Sequence, residues 1–205
     1  MSDETKISTS HSRSSETQKL RWAVTFLAVA CSLLLVEAWY YFSLSPLDPG
    51  QKALLAWTGA RAPDFAATNL DGQPTRLASL QGKRVLLNFW ATWCPPCLEE
   101  LPVFIKLRTE SSPTNLVIIG LSTDDAATQK AFAQRNHINY PLILLQNLPS
   151  PYQDVAKIPV TFVIDRQGMI QHVLFGPQEL QTLEKYESEP DFAGPVKSAP
   201  DAPGR

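Results

Sequence analysis

The chain contains very little cysteine. Three cysteines in 205 residues are too few to staple a small secreted scaffold, so the cysteines here do not form a disulfide framework. Histidine is as sparse: His11, His137 and His172 stand at scattered positions without motif spacing. A structural zinc site ordinarily takes four Cys/His ligands. One close cysteine pair, a lone Cys31 and those histidines do not supply them, and no metal site is expected. Methionine occurs only as Met1 and Met169. Neither sign of charge dominates: 18 Lys+Arg against 20 Asp+Glu leave a formal net charge of -2, without the electrostatic footprint of a nucleic-acid-binding protein. No internal repeat is present, which excludes a solenoid or propeller.

Two of the three cysteines stand together in Trp93-Cys94-Pro95-Pro96-Cys97. The apolar run Val85-Leu86-Leu87-Asn88-Phe89-Trp90 precedes them, and Leu98, Leu101, Phe104, Ile105 and Arg108 follow at helical spacing. This pattern predicts a strand over 84–90, a tight turn and a helix start, with a dithiol at the join. A thiol at a helix N-terminus meets free backbone N–H groups and the positive end of the helix dipole, and both favour the reactive thiolate. Cys97 falls one turn along from Cys94, close enough to close a small disulfide ring. Pro102 interrupts the helix and is expected to kink it. Cysteine is thus used in a catalytic style, with Cys94 and Cys97 as the candidate redox pair.

Residues 1–21 are polar, dense in serine and threonine and without apolar periodicity, which predicts a disordered tail. Residues 22–44 are the opposite. No residue from Trp22 to Val36 is charged; Glu37 follows, then the aromatic cluster Trp39-Tyr40-Tyr41-Phe42. A helix of this length, at about 1.5 Å per residue, crosses an apolar core of about 30 Å. The aromatics then sit as an interfacial belt, and Glu37 lies near the interface and not at the centre. Lys6, Arg13, Lys19 and Arg21 precede the segment, while only Lys52 and Arg61 follow closely. By the positive-inside rule the N-terminus is cytoplasmic and the remainder lies outside the cell (inner) membrane. A cleaved signal peptide would have a shorter apolar core and small residues where these aromatics stand. Ala28-Val29-Ala30-Cys31 resembles a lipoprotein cleavage box only faintly, since the apolar run continues beyond it. Residues 45–61, with Pro46, Pro49, Gly50 and Gly59, read as a linker with a short amphipathic turn at Lys52–Trp57.

A folded domain is expected over 62–187. Asp71-Gly72 between extended pieces signals a β-hairpin. Beyond the dithiol helix come a buried strand over 115–121, a helix entered through Ser122-Thr123-Asp124-Asp125 and running to about Asn136, and a strand over 141–145. Strands over 160–165 and 169–175 are joined at Arg166-Gln167-Gly168, and a helix covers 178–186. Residues 188–205, with four prolines and small polar residues, predict a disordered tail. Alternation in the first half implies parallel strands with crossover helices, and the final hairpin adds antiparallel strands. The expected fold is α/β: a mixed sheet with helices on both faces, an N-terminal β-hairpin and a single N-terminal transmembrane helix. The dithiol falls at the carboxyl end of the first central strand, where open α/β sheets place their sites.

Ala62-Pro63-Asp64-Phe65, Leu70-Asp71-Gly72, the run from Asn88 to Cys97, Glu100-Leu101-Pro102 and the run from Ile158 to Asp165 together resemble the membrane-anchored thioredoxin-like proteins of the TlpA/ResA type. The resemblance covers about 62–186. It implies a thioredoxin-like fold, with Cys94 as the exposed nucleophile, Cys97 as the resolving thiol and Pro159 as a cis-proline facing the dithiol. The Ile158 backbone would pair with an extended substrate segment, and Trp93, Pro95 and Pro96 would complete the substrate rim. Glu100 matches an acid beneath the dithiol. Three residues past Cys97, it shares that helix face, and partial burial would let it relay the Cys97 proton; the plain alternative is a solvated carboxylate beside Glu99. Asn88 stands where thioredoxin carries a buried aspartate, a departure that leaves Glu100 as the better proton carrier. Asp124 and Asp125 read as helix caps.

The resemblance implies a membrane-anchored extracytoplasmic thiol:disulfide oxidoreductase without a bound cofactor. It would reduce protein disulfides in cytochrome c maturation or related metalloprotein assembly, with electrons from a transmembrane carrier of the CcdA/DsbD kind. Two other readings share parts of the pattern. Peroxiredoxins share the Ala-Pro-Asp-Phe opening, but their Pro-x-x-x-Thr-x-x-Cys frame meets Leu87 and Ala91 here. Copper-delivery modules of the Sco kind space their cysteines one residue wider and add a distant histidine, and this chain has no methionine-rich stretch.

Overall fold

Every residue of β3 (Arg84–Trp90) is buried, the pattern of a central strand covered on both faces. A computed structural model describes residues 8–43, 47–112 and 114–200. In it β3 pairs in parallel with β4 (Leu116–Ser122), from Arg84 opposite Leu116 to Trp90 opposite Ser122. On its other side it pairs antiparallel with β6 (Val160–Ile164). β5 (Leu142–Leu144) extends the sheet in parallel beyond β4, and β7 (Ile170–Phe175) closes the opposite edge antiparallel to β6. The strand order is β5-β4-β3-β6-β7. A separate antiparallel hairpin, β1 (Ala66–Thr68) and β2 (Pro74–Arg76), turns through Asn69. The Asn69 side-chain oxygen accepts from the N–H groups of Asp71 and Gln73. This is the mixed sheet and hairpin expected from the sequence.

Alternation along β3 separates two cores. Leu86 and Trp90 face α3 (Pro95–Glu110) and α5 (Leu180–Ser188) and pack with Phe104, Leu107, Ile118, Val163 and Leu183. Val85, Leu87 and Phe89 face the other way, with Ile119, Leu121, Tyr152, Phe162 and Ile164. α3 continues through Pro102 as one helix. α4 (Ala126–Asn136) is capped by Asp125 and ends on His137 in the left-handed conformation. Phe132 of α4 meets the Trp90 ring, centroids 5.5 Å apart.

Two segments differ from the sequence expectation. Of the expected linker 45–61, the described residues 47–61 pack on the domain, and the amphipathic turn expected at Lys52–Trp57 overlaps a helix. α2 (Pro49–Leu55) is closed by a capping box between Asp48 and Gln51, and Leu54 and Trp57 are buried in the second core. Because α3 and α5 both lie on the first face, the second face takes its helical cover from outside the alternating pattern. Residues 189–199 are not a free tail either. The Arg84 guanidinium is fully buried and donates to Gln171 Oε1, to the Glu189 carbonyl and to Asp191 Oδ1, the last at 3.1 Å. Phe192 N donates to Asp165 Oδ2, and Lys197 N to the Gly59 carbonyl. Gly59 has φ +85°, and a Cβ there would lie 2.9 Å from the Phe192 ring. A buried charge requires partners, and this strap provides two of them.

The chain divides before Leu47. Among the described residues the first unit holds one helix, α1 (Ser8–Ser43), which begins inside the segment expected to be a disordered tail. Extending an existing helix gains one backbone bond per residue, so the polar stretch continues the helix of the apolar one. Val24, Phe26, Leu27, Leu34, Leu35 and Trp39 on it are all exposed. Among the described residues no helix is long and apolar enough to cross a membrane. Of the expected span 22–44, Leu44 and the side chains of Ala38 and residues 40–43 lie outside the described residues, as do residues 1–7 and 201–205 of the two expected tails.

Candidate active site

β3 ends at Trp90, and a turn over 91–94 leads into α3, with Cys94 N donating to the Ala91 carbonyl at 3.3 Å. Cys94 is the N-cap of α3 in an extended conformation, with proline at the first helical positions. Proline is suited to that place, because its missing N–H would have had no helical partner. Cys97 N and Leu98 N close the first turn onto the Cys94 carbonyl. Cys94 and Cys97 form a disulfide, with Cα atoms 5.3 Å apart.

The resemblance assigns an exposed nucleophile, yet in the closed disulfide Cys94 is only 4% exposed, against 2% for Cys97. The cover comes from the segment before β6. The Ile158–Pro159 bond is cis, and the Ile158 carbonyl oxygen lies 3.9 Å from Cys94 Sγ. A disulfide sulfur carries no hydrogen, so this is a contact; a reduced Cys94 thiol could donate there. The Pro159 carbonyl accepts from Gly176 N at 3.0 Å, which ties this segment to the loop after β7. On the rim Trp93 is 68% exposed, Pro95 is exposed and Pro96 half-buried.

Beneath the disulfide, Glu100 is buried in α3, 1% exposed. Its Oε1 accepts from Asn88 Nδ2 at 2.7 Å and its Oε2 from Gln178 N at 3.1 Å. The second Asn88 amide hydrogen goes to Thr161 Oγ1 at 3.2 Å. Burial outweighs the two hydrogen bonds and pushes the Glu100 carboxyl up to about 7. Burial and, secondarily, the Glu100 charge also push the neighbouring Tyr140 hydroxyl above the usual tyrosine range. The site therefore combines a dithiol/disulfide at a helix N-terminus, an apolar lid with a backbone acceptor, and a buried acid poised to exchange protons near neutrality.

The fold brings Cys94, Cys97, Ile158 and Pro159 to one surface and places Glu100 under it with Asn88. Thr161, Gln178 and Tyr140 join this site without any local motif to mark them. Asp124 stands apart from its expected role: Asp125 caps α4, while Asp124 Oδ2 accepts from Thr92 N in the active-site turn at 2.7 Å. His172 pairs with Glu189 at 2.8 Å. Among the described residues no group of three or more His, Cys, Asp or Glu is arranged to hold a metal.

Comparison with known proteins agrees with this geometry. Residues 58–173 match the model of the AhpC/TSA family. Thioredoxin-like protein YneN of Bacillus subtilis (strain 168) is 33% identical over 130 residues, covering 62% of this chain and 76% of that protein. Thiol-disulfide oxidoreductase ResA of Bacillus anthracis is 34% identical over 131 residues, covering 62% and 75%. Among solved structures, a thiol:disulfide interchange protein of the thioredoxin family from Chlorobium tepidum TLS is 30% identical and superposes with a TM-score of 0.54, over 62% of this chain and 93% of that one. The chain belongs to the AhpC/TSA family, as a thioredoxin-fold thiol-disulfide oxidoreductase of the ResA type.

Proposed function

We propose that the protein is a membrane-tethered reductant of protein disulfides on the outer side of the cell membrane. The observation that carries the chemistry is the Cys94–Cys97 pair at the N-terminus of α3 above a buried Glu100. In the forward step the Cys94 thiolate attacks one sulfur of a target disulfide. A mixed disulfide forms, and the other target sulfur leaves as a thiolate. The Cys97 thiol passes its proton to Glu100, and the resulting thiolate attacks Cys94 Sγ. The second target sulfur then leaves. The target gains two electrons as a dithiol, and the enzyme is left as the Cys94–Cys97 disulfide, the state in this structure. A carboxyl near 7 is suited to this exchange, because a proton carrier works best with a pKa close to the working pH. An extended target segment would lie along Ile158–Pro159, with the Ile158 carbonyl as backbone acceptor.

The tether is argued from residues 22–44. A single helix with exposed Phe26, Leu27, Leu34 and Leu35 suits a lipid environment better than water, and the flanking basic residues orient it with the catalytic domain outside. In an oxidising compartment a reductant must be recharged from within, and a transmembrane dithiol carrier of the CcdA/DsbD kind supplies those electrons. The tether would raise the effective concentration of the domain near that carrier. Disulfides formed by the haem-binding cysteines of apocytochrome c, or by cysteines awaiting a metal, are the target class.

Trapping tests the reading. In Cys97→Ser the mixed disulfide on Cys94 cannot be resolved, and targets purified from cells should be substrates of cofactor or metal insertion. Recovery of oxidant-pathway proteins alone would show that the direction is reversed. Labelling of single cysteines introduced at position 12 and position 198 with an impermeant thiol reagent reports the topology: only the second should react in intact cells.

A further inference from the structure

Thr92 lies between the end of β3 and Cys94, where neither neighbouring element claims its N–H. The β3–β4 ladder stops at Trp90 opposite Ser122, and the bonds of α3 begin at the Cys94 carbonyl. That N–H donates to Asp124 Oδ2 at 2.7 Å. Asp124 follows directly from β4, the strand beside β3, and is itself held from two sides. Its N–H donates to Ser122 Oγ at 3.1 Å, and its carbonyl accepts from Gln129 Nε2 at 2.8 Å. Ser122 and Gln129 are both fully buried. The carboxylate is not serving α4, whose first turn is capped by Asp125 Oδ1 from Thr128 N at 2.8 Å.

We propose that Asp124 is a positioning residue of the redox pair: from the end of β4 its carboxylate clamps the Thr92 N–H, fixes the 91–94 turn that presents Cys94, and sets a negative charge beside that turn. The inference rests on the oxidoreductase reading of Cys94–Cys97. Two residues of chain reach at most about 7 Å, so with the 2.7 Å bond the carboxylate lies within about 10 Å of the Cys94 backbone, near one Debye length. A negative charge there disfavours the Cys94 thiolate and leaves the neutral disulfide untouched. It therefore shifts the pair toward disulfide, which makes the reduced protein a stronger reductant.

Two variants separate the clamp from the charge. Asp124→Asn keeps an oxygen for the Thr92 N–H and removes the charge; Asp124→Ala removes both. The full chain is equilibrated with reduced and oxidised glutathione, the dithiol fraction is read by thiol alkylation, and kcat and KM are measured on a disulfide-bonded peptide. Asp124→Asn should move the equilibrium about threefold toward dithiol with kcat nearly unchanged. Asp124→Ala should move it at least as far and lower kcat about tenfold, because a misplaced reacting group is costly. Melting of the oxidised forms checks folding. A glutathione equilibrium unmoved in both variants would overturn the proposal, even if melting fell, because Asp124 would then be a structural residue only. If Asp124→Ala does not fold, Asp124→Asn decides alone by the same criterion. If the unsubstituted protein does not exchange with glutathione, the oxidoreductase reading fails first and this inference with it.

Discussion

Asn88 Nδ2 donates to Glu100 Oε1 at 2.7 Å, from the centre of β3 into the first turns of α3. The amide can hold the carboxylate but cannot take its proton or compete with its charge. Glu100 is thus the one titrating group in this pair beneath the dithiol, and its position near pH 7 is set by burial against two donors, Asn88 Nδ2 and Gln178 N.

Stability of the oxidised protein should depend on pH through Glu100. Its carboxyl is raised from 4.5 to about 7 in the fold, so across that window the folded chain holds a proton that the unfolded chain has released. The Glu100 contribution to stability is full below about 4.5, falls as pH rises toward about 7, and is then flat, with a total loss of about 3 kcal/mol. Urea unfolding at pH 5 and pH 8 measures this, and in Glu100→Gln the difference should vanish.

Asn88→Ala should raise the Glu100 carboxyl further, because it deletes a donor that favours the ionised form. The same unfolding series should show the fall in stability continuing to higher pH. The substitution should also cost about 1–3 kcal/mol for the partners left behind, Glu100 Oε1 and Thr161 Oγ1. An unchanged pH window would mean that the amide does not hold the carboxylate.

Kinetics isolate the proton-transfer role. In Glu100→Gln, attack of Cys94 on a target should proceed at nearly the normal rate, while resolution by Cys97 slows about 10²-fold. Rapid quenching should then reveal an accumulating mixed disulfide absent from the parent reaction. Equal slowing of both steps would point instead to a general distortion of the turn.

The C-terminal strap should contribute to stability in proportion to the charge it satisfies. A chain ending at Ser188 strips the buried Arg84 of the Glu189 carbonyl and the Asp191 carboxylate. A buried guanidinium left with Gln171 as its one remaining partner costs up to about 3–5 kcal/mol, which for a domain of this size lowers Tm by about 10 °C. Differential scanning calorimetry of the truncated and full chains reads this directly. In an otherwise full-length chain, Arg84→Met should be destabilised far less than the truncation, since it removes the charge together with its need for partners.

The order of strands and helices, the dithiol at a strand–helix join and the placement of Glu100 on the Cys97 face were all legible in the residues, because each depends on periodicity or spacing within one element. The α2 segment and the strap were not. Leu54 and Trp57 stand in a short proline- and glycine-flanked stretch whose pattern shows no more than one amphipathic turn, and only the uncovered second face of the sheet gives them a place. Residues 189–199 have the composition of a disordered tail, and they are ordered by Arg84 and Asp165, far away in the chain. The opening pair of cysteines is likewise only half described by its motif. Local sequence determined that a thiol at a helix start would be reactive. Tertiary structure decided that the Ile158 carbonyl covers Cys94, that Thr92 is held by Asp124, and that Glu100 is buried enough to titrate near 7. Burial and cross-strand hydrogen bonds depend on what packs alongside, and that is known only once distant segments have met.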